Sequence, residues 1–208
     1  MDIAGMRENY RKGALDMDHT DPLPITQFRQ WFDEAVQSAI EEPNAVILAT
    51  STPDGHPSVR TMLLKGVEDN GFVFFTNKHS RKGREMADNP FASLLFFWGA
   101  LERQVRIEGR LTALSEADND AYFYSRPIES QFGAMASPQS QPIESRSWLE
   151  KRMEELQAMN KPVRPAHWGG FLLEPDVMEF WQGRPGRLHD RIQYILTDGV
   201  WTRQRLAP

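Results

Sequence analysis

The strongest periodic signal in the chain is helical: Phe28, Trp31, Phe32, Ala35, Val36, Ala39 and Ile40 recur three or four residues apart, and Pro43 closes the pattern. The spacing predicts an amphipathic helix over 22–40 whose aromatic side chains belong to a core. The pattern then changes to short apolar runs at 45–50, 59–65 and 72–76, separated by Pro53-Asp54-Gly55 and Asp69-Asn70-Gly71, residues that favour tight turns. Consecutive strands joined in this way form an antiparallel meander. Residues 80–89 read as a short helix and 91–98 and 101–111 as strands, the second alternating Val105 and Ile107 with Gln104, Arg106 and Glu108. Helices are expected at 115–125 and 147–159, on either side of a polar loop, and four more strands near 168–173, 177–181, 187–196 and 200–206. So many short strands with a few peripheral helices predict a mostly β chain, closed or nearly closed into an antiparallel barrel. Residues 1–20, polar and of mixed charge, are expected to be a mobile arm, leaving 21–208 as a single domain without repeats.

Composition narrows the function. With 208 residues, 40% of them hydrophobic and 25% charged, the chain can bury the core of one moderate domain. A net charge of -5 and a pI near 5.6 argue against general binding to nucleic acid or to an anionic membrane, so local arginine clusters point to a small anion. The absence of cysteine removes disulfides and thiolate metal sites. Apolar runs such as 94–98 fall far short of the ~20 residues of a membrane span, and the polar start carries no signal-peptide pattern, so a cytoplasmic location is expected.

Candidate chemistry concentrates in four places. In Glu-Phe-Trp-Gln-Gly-Arg-Pro-Gly-Arg-Leu-His-Asp-Arg, ending at Arg191, a turn at Gly183, Pro185 and Gly186 is followed by Arg187, His189 and Arg191, which would alternate along one strand face. Unpaired cations are poor core material. That face would meet an anionic ligand, or would be a solvated hairpin edge kept positive against strand pairing. Ser80-Arg81-Lys82 stands where a strand gives way to a helix, so free N–H groups and two cations could converge on a phosphate. Arg60 and Lys65 fall on opposite faces of a regular strand, so one ligand reaches both only across a bulge or if Lys65 lies beyond the strand end. Tyr122, Arg126 and Ser130, at intervals of four, would leave a helix stopped by Pro127 and enter a loop; they suit a second phosphate, or simply a charged helix end. No dinucleotide or nucleotide-triphosphate loop, zinc-protease motif or nucleophile elbow is present, and the five histidines are dispersed, so no metal site is expected. Phosphate-binding groups without a nucleophile suit molecules whose own rings do the chemistry.

Taken in order, Arg60-Thr-Met-Leu-Leu-Lys65, Phe75-Thr76-Asn77, Ser80-Arg81-Lys82, Glu102-Arg103-Gln104, Ser125-Arg126-Pro127, Ser130-Gln131, Trp168-Gly169-Gly170-Phe171, Phe180-Trp181-Gln182-Gly183 and Arg187-Leu188-His189-Asp190-Arg191 resemble the pyridoxamine 5'-phosphate oxidase family. The likeness runs from Arg7 to the terminal Arg205-Leu206-Ala207-Pro208. It implies an FMN-binding split β-barrel of antiparallel, Greek-key-like strands, forming a homodimer with FMN between subunits. It also implies oxidation of pyridoxine or pyridoxamine 5'-phosphate to pyridoxal 5'-phosphate, by hydride transfer from C4' to the flavin and reoxidation by dioxygen to hydrogen peroxide. By position Arg60, Arg81 and Lys82 would hold the FMN phosphate. Thr61, Met62, Leu63, Leu64, Lys65, Phe75, Thr76, Gln104, Gln139, Ser140, Trp181 and Arg191 would also contact FMN. Lys65, Tyr122, Arg126 and Ser130 would take the substrate phosphate, Arg187 and His189 would act over the pyridine ring beside Leu188, and Arg7 with Tyr10 would form a lid on the substrate. Phe75 stands where some relatives have tyrosine, and Asp16-Met17-Asp18 where some have arginines, so no regulatory site is carried over. The alternatives are a flavin or pyridoxal-phosphate carrier on the same barrel, or a flavin or deazaflavin reductase, which would not need the second phosphate pocket.

Overall fold

In the computed structural model, which describes residues 2–3, 5–6, 9–159 and 161–208, the apolar repeat forms helix α1 (Pro24–Gln37). Pro24 fits the first turn, where an N–H would be unpaired in any case. The helix stops short of Ile40 because Ala39 turns left-handed, at φ 57°. Nine strands among the described residues make one antiparallel sheet: β1 (Ala45–Ser51), β2 (Pro57–Leu63), β3 (Gly66–Val67), β4 (Phe72–Asn77), β5 (Phe91–Trp98), β6 (Arg103–Ala113), β7 (Trp168–Gln182), β8 (Asp190–Thr197) and β9 (Val200–Leu206). Their order is β2-β1-β5-β6-β7-β4-β3, with β8 on β7 and β9 on β8.

The sheet divides at β7. One edge of β7 pairs with β6 along its length, while the other takes β4 opposite residues 168–173 and β8 opposite residues 177–182. The expected strands at 168–173 and 177–181 are therefore one strand, joined through a register shift at Gly109. Glycine is required there because a Cβ would lie 2.1 Å from the Glu174 carbonyl oxygen.

Alternation fills the barrel. Leu48, Leu94, Phe96, Val105, Ile107, Phe180 and Ile192 are fully buried, and α1 closes the interior with Phe28 against Phe72 and Phe96 and with Trp31 against Phe180. Burying each such side chain stabilises the fold by roughly 1.5–3 kcal/mol. The opposite sheet face leaves Val59 and Phe97 exposed.

Helix α2 (Arg81–Asp88) follows β4, and α3 (Glu116–Ser125), α4 (Ile128–Ala136) and α5 (Arg146–Ala158) stand between β6 and β7. The helix does stop before Pro127, at Ser125, but the polar loop expected after it is interrupted: Pro127 is also the N-cap of α4, which starts at Ile128. Residues 15–20 pack on the domain: Leu15 is buried, and Arg203 donates to the carbonyls of Met17 and Thr20 at 3.1 and 2.7 Å. No helix among the described residues is long and apolar enough to cross a membrane.

Candidate active site

Helix α2 begins at a cap supplied by its own sequence. Ser80, fully buried, accepts the Gly83 N–H at 3.2 Å and donates to the Asn77 carbonyl at 2.7 Å. This start carries Arg81 and Lys82 towards Arg60 on β2. Lys82 Nζ donates to Thr76 Oγ1 at 3.0 Å and to Gln139 Oε1 at 2.9 Å. Burial, then the neighbouring Arg60 charge, lowers its pKa to about 8.

Glu85, which the sequence reading missed, sits among these cations. Its carboxylate accepts from Arg60 Nη2 at 3.2 Å, Arg81 Nε at 2.8 Å and Ser58 Oγ at 2.6 Å, and also from Thr50. Burial pushes this carboxyl up, but the hydrogen bonds outweigh it and hold the pKa at about 2. Arg60 also donates to the Leu48 carbonyl and to the Thr50 and Ser58 hydroxyls, so a phosphate would have to share it.

Beyond Thr76 and Gln139 opens a cavity of about 510 Å³. Lys65, Tyr122, Arg126 and Ser130 all line it, as do Thr61, Met62, Leu63 and Phe75. Lys65 lies past the end of β2 and is therefore free of the strand parity that separates it from Arg60, which itself does not line this cavity. Tyr122 comes from α3, Arg126 from the α3–α4 junction and Ser130 from the first turn of α4. Tyr122, Phe75 and Trp168 form an aromatic stack, with centroids 4.0 Å apart for the first pair and 5.3 Å for the second. Arg126 lies 4.8 Å over Trp168. Its Nη1 is buried without a hydrogen-bond partner, and burial lowers its pKa below the usual arginine value while Tyr122 opposes that shift. A buried, unpartnered guanidinium nitrogen is a ready donor for an anion.

Other expected residues fall elsewhere. Leu64 is buried in the core, its N–H is bonded to the Asn44 carbonyl, and it does not line this cavity. Ser140 is exposed and left-handed at φ 67°. Gln104, Trp181 and Arg191 are register neighbours across β6, β7 and β8. Arg191 is held by Glu179 at 2.8 and 3.0 Å; that bond raises its pKa despite burial.

The expected strand through Arg187, His189 and Arg191 is not formed. Pro185–Arg187 is a 3-10 turn, Arg187 is left-handed at φ 63°, and β8 starts only at Asp190. Arg187 and His189 line a separate cavity of about 590 Å³ with Tyr10 and Arg184. Leu188 is 72% exposed. His189 packs on Trp181 at 4.6 Å, and its Nδ1 accepts the Arg184 N–H at 3.1 Å, which leaves Nε2 to carry the proton of a neutral ring. Arg7 lies outside the described residues. One chain thus carries two cationic cavities that it does not join.

The model of the family described as pyridoxamine 5'-phosphate oxidase matches residues 32–160, and that of the pyridoxine 5'-phosphate oxidase C-terminal dimerisation region matches residues 168–208. This chain belongs to the pyridoxamine 5'-phosphate oxidase family. Among relatives of this family, the pyridoxine/pyridoxamine 5'-phosphate oxidase of Paraburkholderia phymatum is 54% identical over 99% of both chains. That of Rubrobacter xylanophilus is 53% identical over 100% of this chain and 97% of its own. The crystal structure of PhzG from Burkholderia lata, in complex with tetrahydrophenazine-1-carboxylic acid, is 34% identical and superimposes with a TM-score of 0.89 over 94% of this chain and all of its own. A pyridoxamine 5'-phosphate oxidase-related, FMN-binding protein from Nostoc punctiforme, 19% identical with a TM-score of 0.71, covers 87% of this chain and 97% of its own and shares the split-barrel fold. Membership of the family, with a dimerisation region at the C-terminus, makes the chain an oxidoreductase subunit of a homodimer.

Proposed function

We propose that the protein oxidises pyridoxamine or pyridoxine 5'-phosphate to pyridoxal 5'-phosphate, in sites completed across the homodimer. The cofactor is FMN. When bound, FMN would supply a two-electron acceptor for the hydride from C4', with dioxygen as the final oxidant taking up two protons to give hydrogen peroxide; with the amine substrate, water would displace the nitrogen as ammonia. The observation that carries this reading is the pairing, beside one cavity, of two separate anion-binding sets. Arg81, Lys82 and the α2 N-terminus suit the FMN phosphate; Lys65, Arg126 and Ser130 suit the substrate phosphate.

What the chain supplies is chiefly orientation. Two clamped phosphates fix two rings in reacting contact, an effect worth roughly 7–11 kcal/mol in favourable cases, more than a proton shuttle at about 10²–10⁴-fold. Thr61 to Leu63 and Phe75 line the cavity between the two sets, and the Phe75–Tyr122 stack bounds it. Trp181, Gln104 and Arg191 face outward on the sheet beside exposed Phe97, in keeping with FMN contacts made across the subunit boundary. The Tyr10–Arg187–His189 cavity would close the other side from the partner subunit, with Arg187 holding the substrate and His189 donating from Nε2.

The test is an absorbance spectrum of the purified protein followed by peroxide detection on adding pyridoxamine 5'-phosphate. A flavin spectrum with stoichiometric peroxide and pyridoxal 5'-phosphate is expected. A yellow protein that makes no peroxide would be a carrier, and one that oxidises only a tricyclic carboxylate would follow the PhzG likeness instead.

A further inference from the structure

We propose that Glu102 is a positioning residue that latches the N-terminal segment over the Trp181–His189 pair. Its side chain touches neither cavity. Glu102 Oε2 accepts two consecutive main-chain N–H groups, from Arg11 at 2.7 Å and from Lys12 at 2.8 Å. The residue is 8% exposed, and no lysine or arginine side chain among the described residues forms an ion pair with it. A buried carboxylate satisfied by the main chain of a segment 90 residues away holds that segment in one register.

The latch also grips the turn beneath. Glu102 takes a left-handed conformation, at φ 55°, and its carbonyl accepts from the Gly183 N–H at 2.7 Å and from Gln182 Nε2 at 3.2 Å. Tyr10, next to the latched pair, sets its ring 5.6 Å from Trp181 and 5.8 Å from His189. Gly183 lies under it, where a Cβ would come within 2.6 Å of Tyr10 Cγ. Arg184 donates through Nη1 to the Gly13 carbonyl at 3.0 Å, and through its main chain to His189 Nδ1. One residue therefore ties together the segment that bears Tyr10, through its carboxylate, and the turn that leads to Arg187 and His189, through its main-chain carbonyl. Its role in catalysis rests on the reading of that cavity as the substrate side.

The test compares parent, Glu102→Ala and Glu102→Gln as FMN-loaded dimers. Trypsin cleavage after Arg11 and Lys12 reports the latch without reference to turnover, and KM for pyridoxamine 5'-phosphate reports its use. Glu102→Ala should be cut at least about tenfold faster at these bonds and show a KM raised about tenfold, with FMN affinity and melting temperature kept; Glu102→Gln should fall between, because its amide oxygen still accepts but carries no charge. Cleavage at the parental rate overturns the latch. So does a KM that rises only in proportion to lost FMN and lost melting temperature. If Glu102→Ala does not fold, Glu102→Gln decides by the same measures. If the parent fails to oxidise the substrate while the cleavage contrast stands, the latch holds and the proposed reaction falls.

Discussion

Arg126 lies 4.8 Å over the ring of Trp168, with one guanidinium nitrogen buried and unpartnered in a cavity that also presents Lys65 and Ser130. The stack fixes the plane of the fork, and the orphan donor leaves it incomplete until an anion arrives. Arg126→Ala should raise KM for phosphorylated substrate by about 10–10²-fold, as expected for losing a hydrogen bond to a charged group, while FMN affinity is unchanged. Arg126→Lys should recover little, because an ammonium neither stacks nor forks. Steady-state kinetics with flavin titration check both; an unchanged KM removes Arg126 from the anchor.

Lys82 should make FMN binding sensitive to pH. Its pKa, brought from 10.5 to about 8 by burial and then by Arg60, means that between those values the unfolded chain keeps a proton that the folded chain has released. For this residue alone, stability rises with pH across that window. A phosphate dianion favours the charged form, so FMN affinity should fall above pH 8, by at most about tenfold per pH unit for one proton. Fluorescence titration of apoprotein across this range, parent against Lys82→Met, checks the point: the parent should show the slope and the variant should lose it.

Glu85 titrates in a separate, acid window, and there too stability rises with pH. Its pKa falls from 4.5 to about 2, so its contribution is present above 4.5 and lost as pH drops through 2. Glu85→Ala should cost about 1–3 kcal/mol at neutral pH, because buried donors on Arg60, Ser58 and Thr50 lose their acceptor. Thermal melts from pH 7 to pH 2 should show the parent and variant converging on the acid side; parallel curves would deny the carboxylate this role.

Gly83 fixes the start of α2. A Cβ there would lie 2.2 Å from the Lys78 carbonyl oxygen, a main-chain atom that cannot step aside. Gly83→Ala should therefore shift the helix start, destabilise by roughly 1–3 kcal/mol and weaken FMN more than riboflavin, which has no phosphate. Equal losses for the two flavins would mean that the helix start does not serve the phosphate.

Much of this architecture is legible in the residues themselves. The alternation of Val105 and Ile107 with Gln104 and Arg106 gives β6 its faces, and Ser80 announces the cap of α2. What is lost needs three-dimensional context. Pro127 reads as the stop of one helix, and nothing local shows that it also caps the next, so α4 goes unseen. Arg187 in a left-handed conformation breaks a strand that composition favours, because nothing local forbids an extended arginine. Glu85 and Glu102 look like ordinary surface acids until strands and segments distant in sequence deliver donors to them. Leu64 belongs to a run whose neighbours line the cavity, but just past the end of β2 its side chain enters the core instead.

The two cavities belong to one reaction only if a second chain unites them, and subunit complementation asks this directly. Arg126→Ala spoils one cavity and Arg187→Ala the other, so each homodimer should be impaired. When equal amounts are unfolded together and refolded, half the dimers should be mixed, each with one intact site, and peroxide production from pyridoxamine 5'-phosphate should recover to about a quarter of the parental rate. A mixture no more active than its two parents would contradict the shared site.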